Sequence, residues 1–184
     1  MIYKFQKEDV KMNDLIPKYY KKLYVGESLI SGQGLFSMEY IKKGEYILSF
    51  GGVLAPISER YTGKYLSSTF VGITDSVALC ENMTSKKDFS DYINHSCNPN
   101  AGLYDCMTIM AIEDIQKGEE ICCDYAFWES NETWIMKTKC ACGSSKCRHI
   151  ITGKDWKKIK SDDENFIYYS PFIKRRILKS EKEV

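Results

Sequence analysis

The chain has 184 residues, of which 43% are hydrophobic and 28% charged, and its net charge is +1. That length suits one domain with a real core, and a near-zero charge provides no global field for nucleic acid. No run approaches the roughly 18 apolar residues of a membrane span, and the opening "MIYKFQKEDVKMND" lacks the apolar stretch of a signal peptide.

Residues 1–22 read as a polar N-terminal flank interrupted by Pro17. From Leu23 to Leu54 short apolar runs are cut by glycines, as in "LYVGESLISGQGLF" and "YIKKGEYILSFGGVL", a texture that predicts short strands joined by tight turns. Within it "SGQGLFS" (31–37) reads as a Gly-x-Gly turn after a strand, without the third glycine or long helix of a dinucleotide site. Residues 55–70 are mixed and admit a short helix, while "FVGITDSVALCEN" returns to strand texture. "MTIMAIEDIQKGEEICCDYAF" predicts two more strands linked by "EDIQKGEE". Beyond a cysteine-dense loop, "TGKDWKKIK" and "SPFIKRRILKS" read as two helices, the second with Ser170 as N-cap and Pro171 at its first position. Many short strands and few helices predict a mainly β chain of small curled sheets.

Eight cysteines in a chain without a secretory signal argue against a disulfide framework and for a reducing, intracellular setting. Cys140, Cys142 and Cys147 form C-x-C-x4-C in a turn-rich stretch with almost no apolar partners, the way a loop wraps a tetrahedral Zn²⁺. Three ligands need a fourth. His149 is local and Cys97 is distant; a histidine two residues after a ligand often points away, which favours Cys97. The stretch "DYINHSCNPNAGLYD" around Cys97 also packs Asn94, His95 and an Asn-Pro-Asn turn into a few positions.

Taken together, "GQGLF", the "FGG" at 50–52, "NHSCNPN", "GEE…DYAF" and "CACGSSKCR" occur in an order that resembles the SET-domain family of protein lysine methyltransferases. The resemblance runs from Tyr24 to Gly153 and divides the chain into a 1–22 flank and a 23–127 SET domain with a 55–90 variable insert. A 138–153 post-SET zinc segment and a 154–184 helical tail follow. It implies a SET fold of small curved sheets with a C-terminal pseudoknot. It also implies S-adenosylmethionine as cofactor, held by Gln33, Gly34, Leu35 and Phe36, by Asn94 and His95 mainly through backbone groups, and by an aromatic of the insert. That aromatic is Tyr65, or alternatively Tyr61. Tyr125 takes the family's catalytic position, and Phe50 and Cys123 fall in the lysine channel.

Methyl transfer to an amine needs alignment, a neutral lysine and a dry channel more than a strong acid or base, and an aromatic channel disfavours the ammonium form. Three positions depart from the family: Phe50 where tyrosine is common, Cys123 where Phe or Tyr is common, and His149 where glycine is frequent. The small Cys123 leaves room for di- or trimethyl product, unless Phe50 or an insert aromatic refills the space. The expected partner is a protein or peptide with an accessible lysine, a histone tail first, attracted by Glu113, Asp114, Glu119 and Glu120 unless these form a solvated turn. Membrane association is not expected, and direct nucleic-acid binding is at most secondary. The rival reading is a SET-fold binding module without turnover, which would have no need of Tyr125 with Asn94 and His95.

Overall fold

The computed structural model describes residues 15–183; the expected flank lies mostly outside them. In chain order the strands are β1 (Lys18–Tyr19), β2 (Leu23–Glu27), β3 (Gln33–Ser37) and β4 (Tyr46–Ser49). The insert contributes β5 (Val53–Pro56), β6 (Val71–Gly72) and β7 (Val77–Cys80), and then come β8 (Asn94–His95), β9 (Ala101–Leu103), β10 (Thr108–Ala111) and β11 (Cys122–Cys123). They make three sheets: β1-β4-β10-β9-β11-β8, the pair β2-β3, and β5-β7-β6. The α-helix among the described residues, α1, is Pro171–Lys182.

The glycine punctuation explains the small sheets. Gly32 takes φ +52 in the turn after β2, which frees "QGLFS" to run as β3 opposite β2, with Gly34 facing Gly26. The Gly-x-Gly stretch thus holds both turn and strand: Gly32 absorbs the left-handed backbone that L side chains resist, and β3 starts at Gln33. Gly34 has a different duty: a Cβ there would overlap the Glu120 carboxylate.

Both faces of the six-stranded sheet are covered. In β4, Ile47 and Leu48 point to opposite faces and both are fully buried. In β9 the central residue is Gly102, where a Cβ would press on Tyr168, Ile112 and Phe127. The far side is closed by Phe127, Tyr169 and α1, which buries Phe172, Ile173 and Ile177. The spacing of those three is that of one helix face. The tail is thus core, and each such large side chain buried contributes about 2 kcal/mol before entropy is counted.

Two helix expectations change. "TGKDWKKIK" makes only a 3₁₀ turn, Asp155–Lys158, because the Asp155 carboxylate is drawn inward to Thr152 Oγ1 at 3.1 Å and Arg148 Nε at 3.4 Å. Residues 55–70 likewise hold only the 3₁₀ turn Ile57–Glu59. Ser170 does precede α1, but its hydroxyl is buried without a partner and only its carbonyl serves the helix, accepting from Lys174 N–H at 3.0 Å.

The most consequential feature of the main sheet lies at its end. β11 is parallel to both neighbours, pairing Cys122 with Asn94, and Cys123 with His95 and Ala101. It slots between the two strands that flank the 96–100 loop. Beyond it, the chain returns so closely that a Cβ on Gly153 would overlap the carbonyl of Asn131. Gly153→Ala is expected to cost about 1–3 kcal/mol by overpacking against backbone that cannot yield, read as a lower urea midpoint at unchanged m-value.

Candidate functional site

A cavity of about 370 Å³ opens between the insert and the residues after β11. Its floor is aromatic: Phe50, Tyr125 and Trp128 all line it, with Trp128 5.8 Å from Phe50 and 5.6 Å from Tyr125 between ring centroids. Trp134, 6.2 Å from Tyr125, closes another side. Tyr125 Oη donates to the carbonyl of Ile93 at 2.9 Å. Burial, reinforced by the neighbouring Cys123 and Cys122 thiols, holds its pKa well above the usual tyrosine range. It is a neutral phenol whose proton is committed and whose remaining lone pair is not.

The walls are joined by a buried ion pair. Arg60 of the insert meets Glu129 at 2.5 Å, and the two side chains are 3% and 6% exposed. Arg60 Nε also donates to Ser67 O at 2.9 Å, and its guanidinium lies 5.4 Å from the Phe70 ring and 5.6 Å from that of Trp134. A guanidinium is suited to this, since it stacks on rings while its fork stays bonded.

Immediately behind Ile93 the chain becomes β8, the edge strand of the main sheet. The Asn94 amide nitrogen is turned into the protein, with Glu120 Oε1 at 2.7 Å and the carbonyls of Ser31 and Gln33 at 3.1 Å. Glu120 also accepts from Ser28 Oγ at 2.8 Å. These contacts pin the 28–33 turn against β8, so that "GQGLF" and "NH" meet although some sixty residues separate them. What β8 leaves open is the backbone edge turned away from β11.

His95 is 3% exposed. Its Nδ1 accepts from the Tyr125 N–H at 3.2 Å, and its Nε2 is 3.3 Å from Cys97 Sγ. Burial, opposed by Asp124, pushes its pKa down to about 4, so the ring is neutral at physiological pH.

The Sγ atoms of Cys97, Cys140, Cys142 and Cys147 lie within 4.8 Å of one another and none is in a disulfide. Four thiols at this mutual distance, converging from two parts of the chain, fit a tetrahedral soft-metal site. The surroundings fit as well. Arg148 N–H donates to Cys97 Sγ at 3.3 Å. Burial raises the Cys142 thiol, but backbone donors from Cys97 and Ser144 reverse that and bring it down to about 7. His149 stands outside the cluster, 3.8 Å from Cys147 Sγ, and holds φ +59. This is the left-handed backbone that glycine adopts freely and other residues resist.

Arg148 fastens the cysteine loop to the site. It reaches Asp124 Oδ1 at 2.7 Å, and that same oxygen accepts from Ala126 N–H at 2.9 Å to cap the turn that carries Tyr125. Burial alone would lower the Arg148 pKa; Asp124 more than reverses this.

Phe50 and Tyr125 therefore meet at the cavity. Of the 33–36 stretch, the Gln33 carbonyl meets Asn94, while Gly34, Leu35 and Phe36 lie against residues 120–121, and His95 faces Tyr125 and Cys97. Cys123 is fully buried within β11 and is absent from the cavity wall. Tyr65 packs in a side cluster with Phe70, ring centroids 6.2 Å apart, whereas Tyr61 lines the cavity. Glu119 and Glu120 are bonded internally, Glu119 to Asn100 at 3.1 Å, and the carboxylates at the cavity are Glu81, Asp91 and Glu129. Of the acids expected to attract a basic peptide, Glu119 and Glu120 are thus engaged within the protein, while Glu113 and Asp114 are exposed. Trp128, Trp134, Arg60 and Glu129 escaped sequence reasoning. The aromatic run "YAFWESNETW" signalled the first two, while nothing local pairs Arg60 with Glu129.

Comparison with known proteins now bears on this arrangement. The family model of the SET domain matches residues 32–126. The chain belongs to the SET-domain lysine methyltransferase family. This SET domain is 33% identical over 140 residues to the "Putative histone-lysine N-methyltransferase 1" of Plasmodium falciparum, covering 68% of this chain and 2% of that protein. It is 32% identical over 141 residues to the "Histone-lysine N-methyltransferase, H3 lysine-4 specific" of Cryptococcus neoformans, covering 70% and 10%. It is 32% identical over 144 residues to human "Histone-lysine N-methyltransferase SETD1B", covering 71% and 7%. The chain thus spans a small part of the length of these relatives. The fold is similar to that in the crystal structure of KRYPTONITE in complex with mCHG DNA and SAH, with TM-score 0.57 at 22% identity over 72% of this chain and 29% of that one. No helix among the described residues is long and apolar enough to cross a membrane.

The cysteine cluster makes a sharp prediction. Cys97→Ser is expected to lose bound metal as completely as Cys142→Ser, and His149→Ala to keep it, when protein purified with zinc is assayed by elemental analysis. A metal-free His149 variant beside a fully loaded Cys97 variant would overturn the assignment.

Proposed function

We propose that this SET domain is an S-adenosylmethionine-dependent protein lysine N-methyltransferase that admits its lysine through the aromatic cavity to Tyr125. The observation that carries the reading is the Tyr125 hydroxyl. With its proton given to Ile93 O, its oxygen can only accept, so it takes an N–H from the lysine head group. Held by that bond, the amine must turn its lone pair elsewhere, as in-line attack requires. The rings of Phe50, Trp128 and Trp134 disfavour the ammonium form and exclude water.

S-adenosylmethionine, when bound, supplies an electrophilic methyl on its sulfonium. The residues fit it through the open edge of β8 and the 28–33 turn: Asn94 spends its side chain on the protein, leaving backbone groups of Asn94 and His95 for the cofactor, beside Gln33, Gly34, Leu35 and Phe36. The insert's aromatic contribution to the cofactor is Tyr65, with Tyr61, which lines the lysine cavity, as the alternative. Zinc is the metal that the Cys97, Cys140, Cys142 and Cys147 set would hold, by donor type and by their convergence. The slot of β11 between β8 and β9 supports the threaded arrangement, in which the chain after Tyr125 passes beneath the 94–100 loop. We retain 23–127 with its 55–90 insert, the 138–153 zinc segment and the 154–184 tail as the working division. The relatives' names make a histone tail the first substrate to test.

Two experiments decide this. Labelled S-adenosylmethionine with core histones, nucleosomes and lysate should transfer label to protein lysine; no transfer to any of them favours the non-catalytic module. Tyr125→Phe removes one hydroxyl and little volume, so cofactor binding by calorimetry should persist while turnover falls on the order of 10²-fold.

Cys123 does not line the cavity, so the di- or trimethyl product expected from its small side chain rests on the resemblance alone. We expect a peptide driven to completion to reach di- or trimethyl-lysine, and Cys123→Tyr to shift the output toward monomethyl. Mass spectrometry reads both, and a wild-type reaction that halts at one methyl means that Phe50 and Trp128 already fill the space.

A further inference from the structure

We infer that His95 is a positioning residue joining the four-cysteine cluster to Tyr125, so that the metal and the phenol are held through one imidazole ring. The inference rests on the catalytic reading of Tyr125 given above. It starts from donors and acceptors. The Tyr125 backbone N–H can only donate, so Nδ1 of His95, 3.2 Å away, must be the unprotonated nitrogen. In a neutral ring the proton then sits on Nε2, which is 3.3 Å from Cys97 Sγ. A metal-bound thiolate only accepts, so Nε2–H···Sγ is the bond that a loaded cluster demands. Both ends of the ring are thereby committed.

The consequence is directional. A metal that draws Cys97 toward Cys140, Cys142 and Cys147 also fixes the imidazole through Nε2. The imidazole in turn fixes the Tyr125 N–H, from which the ring and its bond to Ile93 extend. Asp124 Oδ1 stands 3.8 Å from Nδ1 and is held by Arg148 from the cysteine loop, a second tie across the same gap. With the ring 3% exposed there is no space for a second rotamer to relieve the constraint. The side chain therefore has a duty separate from the backbone contact expected with the cofactor.

The two nitrogens can be tested separately. In His95→Asn the shorter amide places its oxygen near the Nδ1 position and offers no donor to Cys97. In His95→Gln the longer amide places its nitrogen near Nε2 and offers no acceptor to Tyr125. Zinc affinity by chelator competition is expected to fall ~10-fold or more in His95→Asn, the usual effect of removing a partner of a metal ligand, and to stay within about threefold in His95→Gln. The Tyr125 amide proton, followed in ¹⁵N-tyrosine-labelled protein, should shift in His95→Gln and also in wild type when zinc is removed. In His95→Gln the loss of activity should fall on kcat rather than on KM for the peptide. Equal zinc affinity in all three proteins, or a Tyr125 amide indifferent to zinc, overturns the link. If methyl transfer is absent while the affinity and amide results hold, the link stands and the enzymatic reading is what fails.

Discussion

Oδ1 of Asp124 is the point at which distant parts of the chain are made to agree. It accepts from Arg148 of the cysteine loop and from Ala126 N–H of its own turn, and it faces the His95 ring. The carboxylate is only 10% exposed and its Arg148 partner 21%, so neither charge is well solvated alone. Breaking such a pair leaves a poorly hydrated charge behind, which costs far more than the pair contributes when intact. The position of Tyr125, the next residue, is therefore conditional on the cysteine loop being docked. Asp155, buried beside Arg148, extends the same network into the tail.

A second closure of the same kind shapes the cavity. Arg60 and Glu129 come from strands of chain with no other reason to meet, and their ion pair sits among aromatic rings on both sides. Hydrophobic packing alone would let the insert slide over Trp128 and Trp134, since apolar contact has no preferred registry. The guanidinium fork has one. The cavity therefore has fixed walls without a continuous sheet across it.

What could be read in advance was whatever the chemistry keeps local. Cys140, Cys142 and Cys147 announce a metal loop by spacing, and the glycine-cut runs announce short strands. Cys97 was inferable because a tetrahedral ion needs a fourth donor. Other features depended on long-range geometry. "QGLFS" runs as strand because Gly32, one residue before, absorbs the turn. "KDWKK" fails to become a helix because Asp155 is claimed by Arg148 and Thr152. Tyr65 and Tyr61 both sit in the insert, and only the fold of β5–β7 decides which one faces the cavity. Glu120 looked like a solvent-facing acid by composition and instead braces Asn94 and Ser28.

The packing of α1 onto the far side of the main sheet has a bearing on synthesis. Phe127, two residues after the Tyr125 phenol, is sealed by Tyr169 at 4.9 Å and by the buried face of Phe172, Ile173 and Ile177. On a ribosome the eleven strands of the described residues leave before that helix does. Until it arrives, the nascent chain carries a finished strand order with an uncovered apolar back, the kind of surface that invites association or chaperones. Tyr125, two residues before Phe127, is thus held firmly only once the tail has docked, although it is made early.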